Sequence, residues 1–152
     1  MASIKVTYSS RQLVPEKVTL LTYHRFDKQD IFDFVVCNLL KQGIKSIDES
    51  IENHGHCKYR LVRKDDRKVL KCAIGQLIPK SLYNPIIEYQ GIQAIHRLLN
   101  IELDHTKLDL LHSMQNIHDG KEVDQWFDAF VELAKVHRLQ VNFNPQGNYL
   151  DI

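Results

Sequence analysis

The sequence lacks most of the features that would assign a chain to a specialised class. Three cysteines, Cys37, Cys57 and Cys72, are too few and odd in number for a disulfide scaffold, so reduced thiols in a cytosol are expected. Apolar runs such as Phe34-Val35-Val36-Cys37 last only a few residues, far short of the roughly 20 that span a bilayer. The opening Met1-Ala2-Ser3-Ile4-Lys5-Val6 has no apolar h-region. No secretory signal and no membrane association are therefore expected, which points to a soluble, cytoplasmic protein. There is no repeat, no low-complexity tract and no Walker A, G-x-G-x-x-G, H-E-x-x-H or G-x-S-x-G segment. Net charge is only +1, and no RRM, KH, helix-turn-helix or zinc-finger signature is present, which argues against nucleic acid as a partner.

What is present describes an ordinary globular chain. Its 152 residues are 43% apolar and 26% charged, enough for one domain around one core. Residues 1–26 alternate at Ile4, Val6 and Tyr8 and again at Val18, Leu20 and Thr22, predicting a strand extension. Asp27 reads as an N-cap for a helix over about 28–42, with Ile31, Phe32, Val35, Val36 and Leu39 on one face and Gly43 as its stop. Residues 44–55 read as a loop. A β-hairpin turning at Asp65-Asp66 follows, with Leu61 facing Leu70 and Tyr59 facing Cys72. That register gathers Cys57, Tyr59, Leu61, Leu70, Cys72 and Ile74 on a buried face, and a one-residue slip would scramble it.

Helical patterns return at 91–99, from Thr106 to about His118, and over about 121–137, where Trp126, Phe127, Phe130 and Ala134 recur at helical spacing. The tail after Val141 carries Asn, Pro and Gly and is expected to fray. The fold class predicted is thus α+β and mainly helical: a central β-hairpin or small antiparallel sheet packed by about four helices. It forms a single domain over 1–152, with a core at 27–140 and a flexible tail at 141–152.

Charge is distributed unevenly. Between Cys57 and Cys72 lie seven basic residues and two acids, whereas Tyr83 to Lys135 holds nine acids against four Lys and Arg. Arg60, Arg63, Lys64, Arg67, Lys68 and Lys71 are candidates for an interface with an acidic protein surface, or for an anion site completed by Tyr83 and His118. The competing reading is a solvated turn whose cations protect an edge.

Two further constellations carry chemistry in principle. Cys57, Cys72, His54 and His56 could supply four zinc ligands, but there is no C-x-x-C, and adjacent His56 and Cys57 point to opposite faces of a strand. The preferred reading is two small apolar side chains in the hairpin core, with no cofactor expected. Reversible oxidation of Cys57 and Cys72, or a thiol nucleophile activated by Arg60 and Lys71, is the related alternative. His118-Asp119 could serve acid–base catalysis with His112 or His137. Asp119 is explained as well by capping the last helix, with Glu122 at N3.

Some of these residues fall into a recognisable order. Gly55-x-Cys57-x-Tyr59-Arg60 is followed by Leu70-Lys71-Cys72-Ala73-Ile74-Gly75-x-Leu77-Ile78-Pro79 and Tyr83. Leu110-Leu111-x-x-Met114-Gln115-x-x-His118-Asp119, Trp126 and Ala134-x-x-His137-x-Leu139 come later. Over roughly residues 27–140, beginning with a helix that ends near Lys41-Gln42-Gly43, the chain resembles a family of uncharacterised small proteins from bacteriophages, prophages and bacteria. It departs from that pattern in its longer, basic hairpin and in its first 26 residues. The resemblance supplies no catalytic residues. It implies a phage-type accessory protein that binds a bacterial protein and modulates or inhibits it. A small-anion or nucleotide-binding protein, or a hydrolase, is the second expectation, and a zinc or thiol protein the third.

Overall fold

The computed structural model describes residues 18–49, 56–101 and 104–150. Its elements run α1 (Lys28–Gln42), β1 (Ile47–Asp48), β2 (His56–Cys57), β3 (Leu61–Val62), β4 (Val69–Leu70), α2 (Ile92–Leu98), α3 (His105–Gly120) and α4 (Val123–His137). Short 3-10 turns lie at Tyr23–Arg25, Ile74–Leu77 and Pro85–Ile87. The fold is mainly helical α+β.

Local chemistry sets the helix ends. The Asp27 side chain accepts the Asp30 N–H at 2.8 Å, and Gly43 closes α1 at φ 63° with its N–H on Leu39 O. Few residues other than glycine tolerate that left-handed conformation. α4 begins on a capping box in which Glu122 and Gln125 exchange side-chain bonds, so Glu122, and not Asp119, is its N-cap. α3 continues through Asp119 to Gly120 and is capped at its start by Asp104, whose carboxylate accepts the Thr106 N–H. The helix thus begins at His105, one residue before the Thr106 start expected from sequence.

The core forms where α1, α3 and α4 pack on one another and the Ile74–Leu77 turn packs on α1 and α3. Phe32, Val35 and Leu39 of α1 are fully buried there with Leu110, Leu111 and Met114 of α3 and Trp126 and Phe130 of α4. Burying each such side chain contributes about 1.5–3 kcal/mol.

The hairpin keeps its predicted register, Leu61 opposite Leu70 and Val62 opposite Val69, but the ladder stops after those two pairs. Side chains from elsewhere take the backbone groups that would extend it. The Gln42 amide donates to Lys71 O and accepts from Lys71 N, each at 3.0 Å. Buried Glu88 accepts the N–H groups of Tyr59 and Arg60 at 3.0 and 3.3 Å. Ile74, expected in the strand, sits in the 3-10 turn, while Cys57 and Tyr59 are half-buried and Cys72 is fully buried. Cys57 pairs instead with Ile47, inside the segment expected as loop.

Both chain ends depart from expectation. Val18 and Leu20 are buried, but in a turn that leads to the first 3-10 segment rather than in a strand. The other strand positions expected before them lie outside the described residues. The tail folds back on itself: Phe143 bridges to Tyr149, and Phe143 is buried beside Phe32. Gly147, at φ 83°, packs so closely on α1 that a Cβ there would lie 2.5 Å from Cys37 O. Tyr149 donates its hydroxyl to Asp33 Oδ2 at 2.6 Å, and Gln29 donates to Oδ1 at 2.9 Å. Burial pushes the Asp33 carboxyl up to about 8.

Candidate functional site

His118 is fully buried near the end of α3, and its ring stacks on Trp126 at 5.4 Å between centroids. The Ser46 N–H points at Nε2 from 3.1 Å, so Nε2 acts as an acceptor. The ring proton is then on Nδ1 and is donated to Asp119 Oδ1 at 2.8 Å. Ser46 also holds the hairpin: its hydroxyl reaches Lys58 O at 2.7 Å and Leu70 O at 3.3 Å, and its own carbonyl accepts the Lys58 N–H. Gln115 donates to both Asp119 and Cys57 Sγ, at 2.9 and 3.2 Å. The Gly75 N–H lies 3.4 Å from Cys72 Sγ.

These contacts decide what the cluster can do. A hydrogen bond shared with Cys72, reinforced by burial, pushes the Cys57 thiol well above its ordinary range, which disfavours the thiolate that nucleophilic chemistry requires. Partial burial works against ionised Asp119, but hydrogen bonds from His118 and Cys57 outweigh it and hold the carboxyl below its usual range. Burial opposes a charged His118 while Asp119 and Cys57 favour it, and the balance lies on the raised side. The second proton would have to enter at Nε2, however, where Ser46 already donates, so the imidazolium forms only if that bond breaks.

Cys57, His118 and Asp119 place one ligand atom each within 4.8 Å of one another. Coordination through Nδ1 would move the ring proton to Nε2, against the Ser46 N–H. Coordination through Nε2 would displace that N–H. In either case a metal ion replaces a hydrogen bond already made, so the trio fits a hydrogen-bonded clamp better than a metal centre. Of the two histidines considered as ligands from sequence, His54 lies outside the described residues, and His56 pairs through its backbone with Asp48 in the second ribbon.

The basic residues form a separate face. A groove of about 600 Å³ opens between α1 and the hairpin, lined by Lys41, Arg60, Lys68, Lys71 and Lys80 together with the amides of Asn38, Gln42 and Gln76. No carboxylate occurs among its described lining residues. The Arg60 guanidinium lies 5.8 Å over the Tyr83 ring, and its buried Nε has no acceptor among the described residues. Tyr83 does not line the groove. It supports Arg60 from beneath and donates its hydroxyl to Glu88 at 2.6 Å, while burial raises its pKa. Arg63 is engaged with Asp66 through two guanidinium nitrogens. Lys64, Arg67 and Lys68 are exposed around the turn.

The anion site expected from sequence is therefore only partly assembled. Arg60, Lys68 and Lys71 meet, Arg63 and Lys64 line a different depression, and His118 is sealed in the clamp. Lys41 and Lys80, which complete the groove, were not candidates, because nothing local marks a lysine at the end of a helix or after a proline. Compared with family models, curated proteins and solved structures, the chain matches none.

Proposed function

We propose that the protein is a non-catalytic binding module that docks an acidic surface of a protein partner on its basic groove and hairpin. The carrying observation is the groove itself: five cations side by side with no carboxylate among its described lining residues, in a chain of net charge +1. Like charges held together raise the energy of the free surface and are relieved by an anionic partner. The resemblance to phage and prophage proteins supports a bacterial protein as that partner and modulation or inhibition as the outcome.

The test compares the tagged protein with a Lys41→Glu, Lys68→Glu, Lys80→Glu variant in the same bacterial lysate by quantitative mass spectrometry. The reading requires an acidic protein that is retained by the wild type, released by salt and lost from the variant. Identical retention by both proteins overturns it.

Arg60 favours a second reading, a small anionic ligand. Its buried Nε, unmatched among the described residues, sits on an aromatic support, and a cavity of this size suits a small molecule. Inorganic phosphate or a nucleotide would then raise the melting temperature, because a ligand that binds only the native state stabilises it. A flat response across a nucleotide panel removes this reading.

A further inference from the structure

The face opposite in sign carries its own groove. α3 and α4 pack as antiparallel neighbours joined at Lys121-Glu122, and a cavity of about 680 Å³ runs along their seam. Its floor is apolar, formed by Ile117, Leu133 and Val136, and Val136 is 76% exposed. Asp124, Asp128 and Glu132 line one side at successive i, i+4 positions, a row about 12 Å long at the helical rise. Lys121 is the one cation among its described lining residues, and Glu132 is partly engaged by exposed Lys135 at 2.9 Å.

The hairpin is the chemical complement of this seam. Val62 and Val69 form a cross-strand pair and are 40% and 39% exposed. Lys68 flanks that pair on one strand and Arg63, held by Asp66, on the other, while Lys64 and Arg67 are exposed on either side of the Asp65-Asp66 turn. An apolar pair framed by cations thus matches an apolar floor framed by carboxylates, and both belong to the same chain.

We propose that the hairpin of one copy docks into the α3/α4 seam of a second copy, with Val62 and Val69 on the apolar floor and Lys64 and Lys68 facing Asp128 and Glu132. This self-association requires no outside partner, and it shares the hairpin and Lys68 with the reading above while adding the acidic seam. A reciprocal arrangement closes a dimer, and a one-way arrangement extends into a chain. The attraction comes from exposed charges, so salt weakens it.

Sedimentation of the full chain tests the proposal. In low salt the weight-average mass rises about twofold or more between ~10 μM and ~1 mM, and it returns to the monomer value in about 0.5 M salt, where screening is short-ranged. Lys64→Glu with Lys68→Glu, and separately Asp128→Lys with Glu132→Lys, each leave the protein monomeric. Mixing the two variants restores the larger species, because each then offers a surface complementary to the other. Circular dichroism confirms that both variants are folded. A wild type that stays monomeric throughout overturns the proposal. So does association that ignores salt, or a mixture no heavier than its components.

Discussion

Around His118 the Ser46 N–H, both imidazole nitrogens, Asp119 and Gln115 each face a partner of matching character, whereas the basic groove sets five cations beside one another with no carboxylate among its described lining residues. Both regions are built on the same hairpin segment, yet their polar groups have different fates. The buried ones hold β2, β4 and α3 together, and an orphaned donor there would cost its full desolvation penalty. The exposed ones contribute little to stability, since surface charges rarely exceed a fraction of a kcal/mol. Chemically suggestive residues are therefore no guide to function by themselves: the hydrogen bonds of the His-Asp dipeptide and of Cys57 tie the hairpin to α3, and the proposed interface rests on less distinctive lysines.

This contrast breaks most visibly at Gly75. A Cβ there would lie 2.1 Å from Tyr59 O, so Gly75→Ala must push the hairpin off the 3-10 turn. The expected loss is about 5 kcal/mol or more, at the upper end of point substitutions, and chemical denaturation would register it as little folded protein.

Asp33 gives the next largest effect, through pH. Its carboxyl titrates at about 8 in the fold and near 4 in the unfolded chain. The folded state holds the extra proton, so the stabilisation is complete below about pH 4 and is lost as pH rises through 8. Between pH 5 and 8 the wild type should lose up to about 4 kcal/mol, and Asp33→Asn should flatten that decline in urea titrations at each pH. A wild-type profile already flat over this interval would show that Asp33 is ionised in the fold.

His118→Ala should cost about 3 kcal/mol, combining a cavity against Trp126 with an unmatched Ser46 N–H. A loss below about 1 kcal/mol would mean that the clamp is not structural and would reopen the case for chemistry there. At the small end, Lys64→Glu with Lys68→Glu should change stability by no more than about 0.5 kcal/mol in the same assay, whatever it does to binding.

The parts of the fold visible in the sequence depend on neighbours close along the chain. Asp27 and Gly43 bound α1, Trp126, Phe130 and Ala134 draw the buried face of α4, and Asp65-Asp66 with the alternation around it fixes Leu61 opposite Leu70. What could not be read depends on side chains that act as backbone partners from far away. Gln42 imitates a strand beside Lys71, 29 residues on, and Glu88 does the same for Tyr59 and Arg60. No local pattern announces either, so the hairpin was expected to be longer than it is. Asp119 was misassigned for a related reason: a capping role and a bond to the preceding histidine look alike in sequence, and only the continuation of α3 to Gly120 and the capping box at Glu122 separate them. The basic face was legible as a run of cations, but its groove was not, because Lys41 and Lys80 reach it from other elements.

The chain's single tryptophan makes the clamp optically visible. Trp126 is fully buried with its indole N–H unmatched among the described residues, which places its emission at short wavelength, and its ring lies on the imidazole of His118. An imidazolium in that position withdraws excited-state charge and dims the indole, whereas the neutral ring leaves it bright. A fall in the fluorescence of the unlabelled protein therefore reports that the Ser46–His118 bond has opened and the ring has taken a second proton, and a partner that strains the hairpin that far announces itself as a change in light.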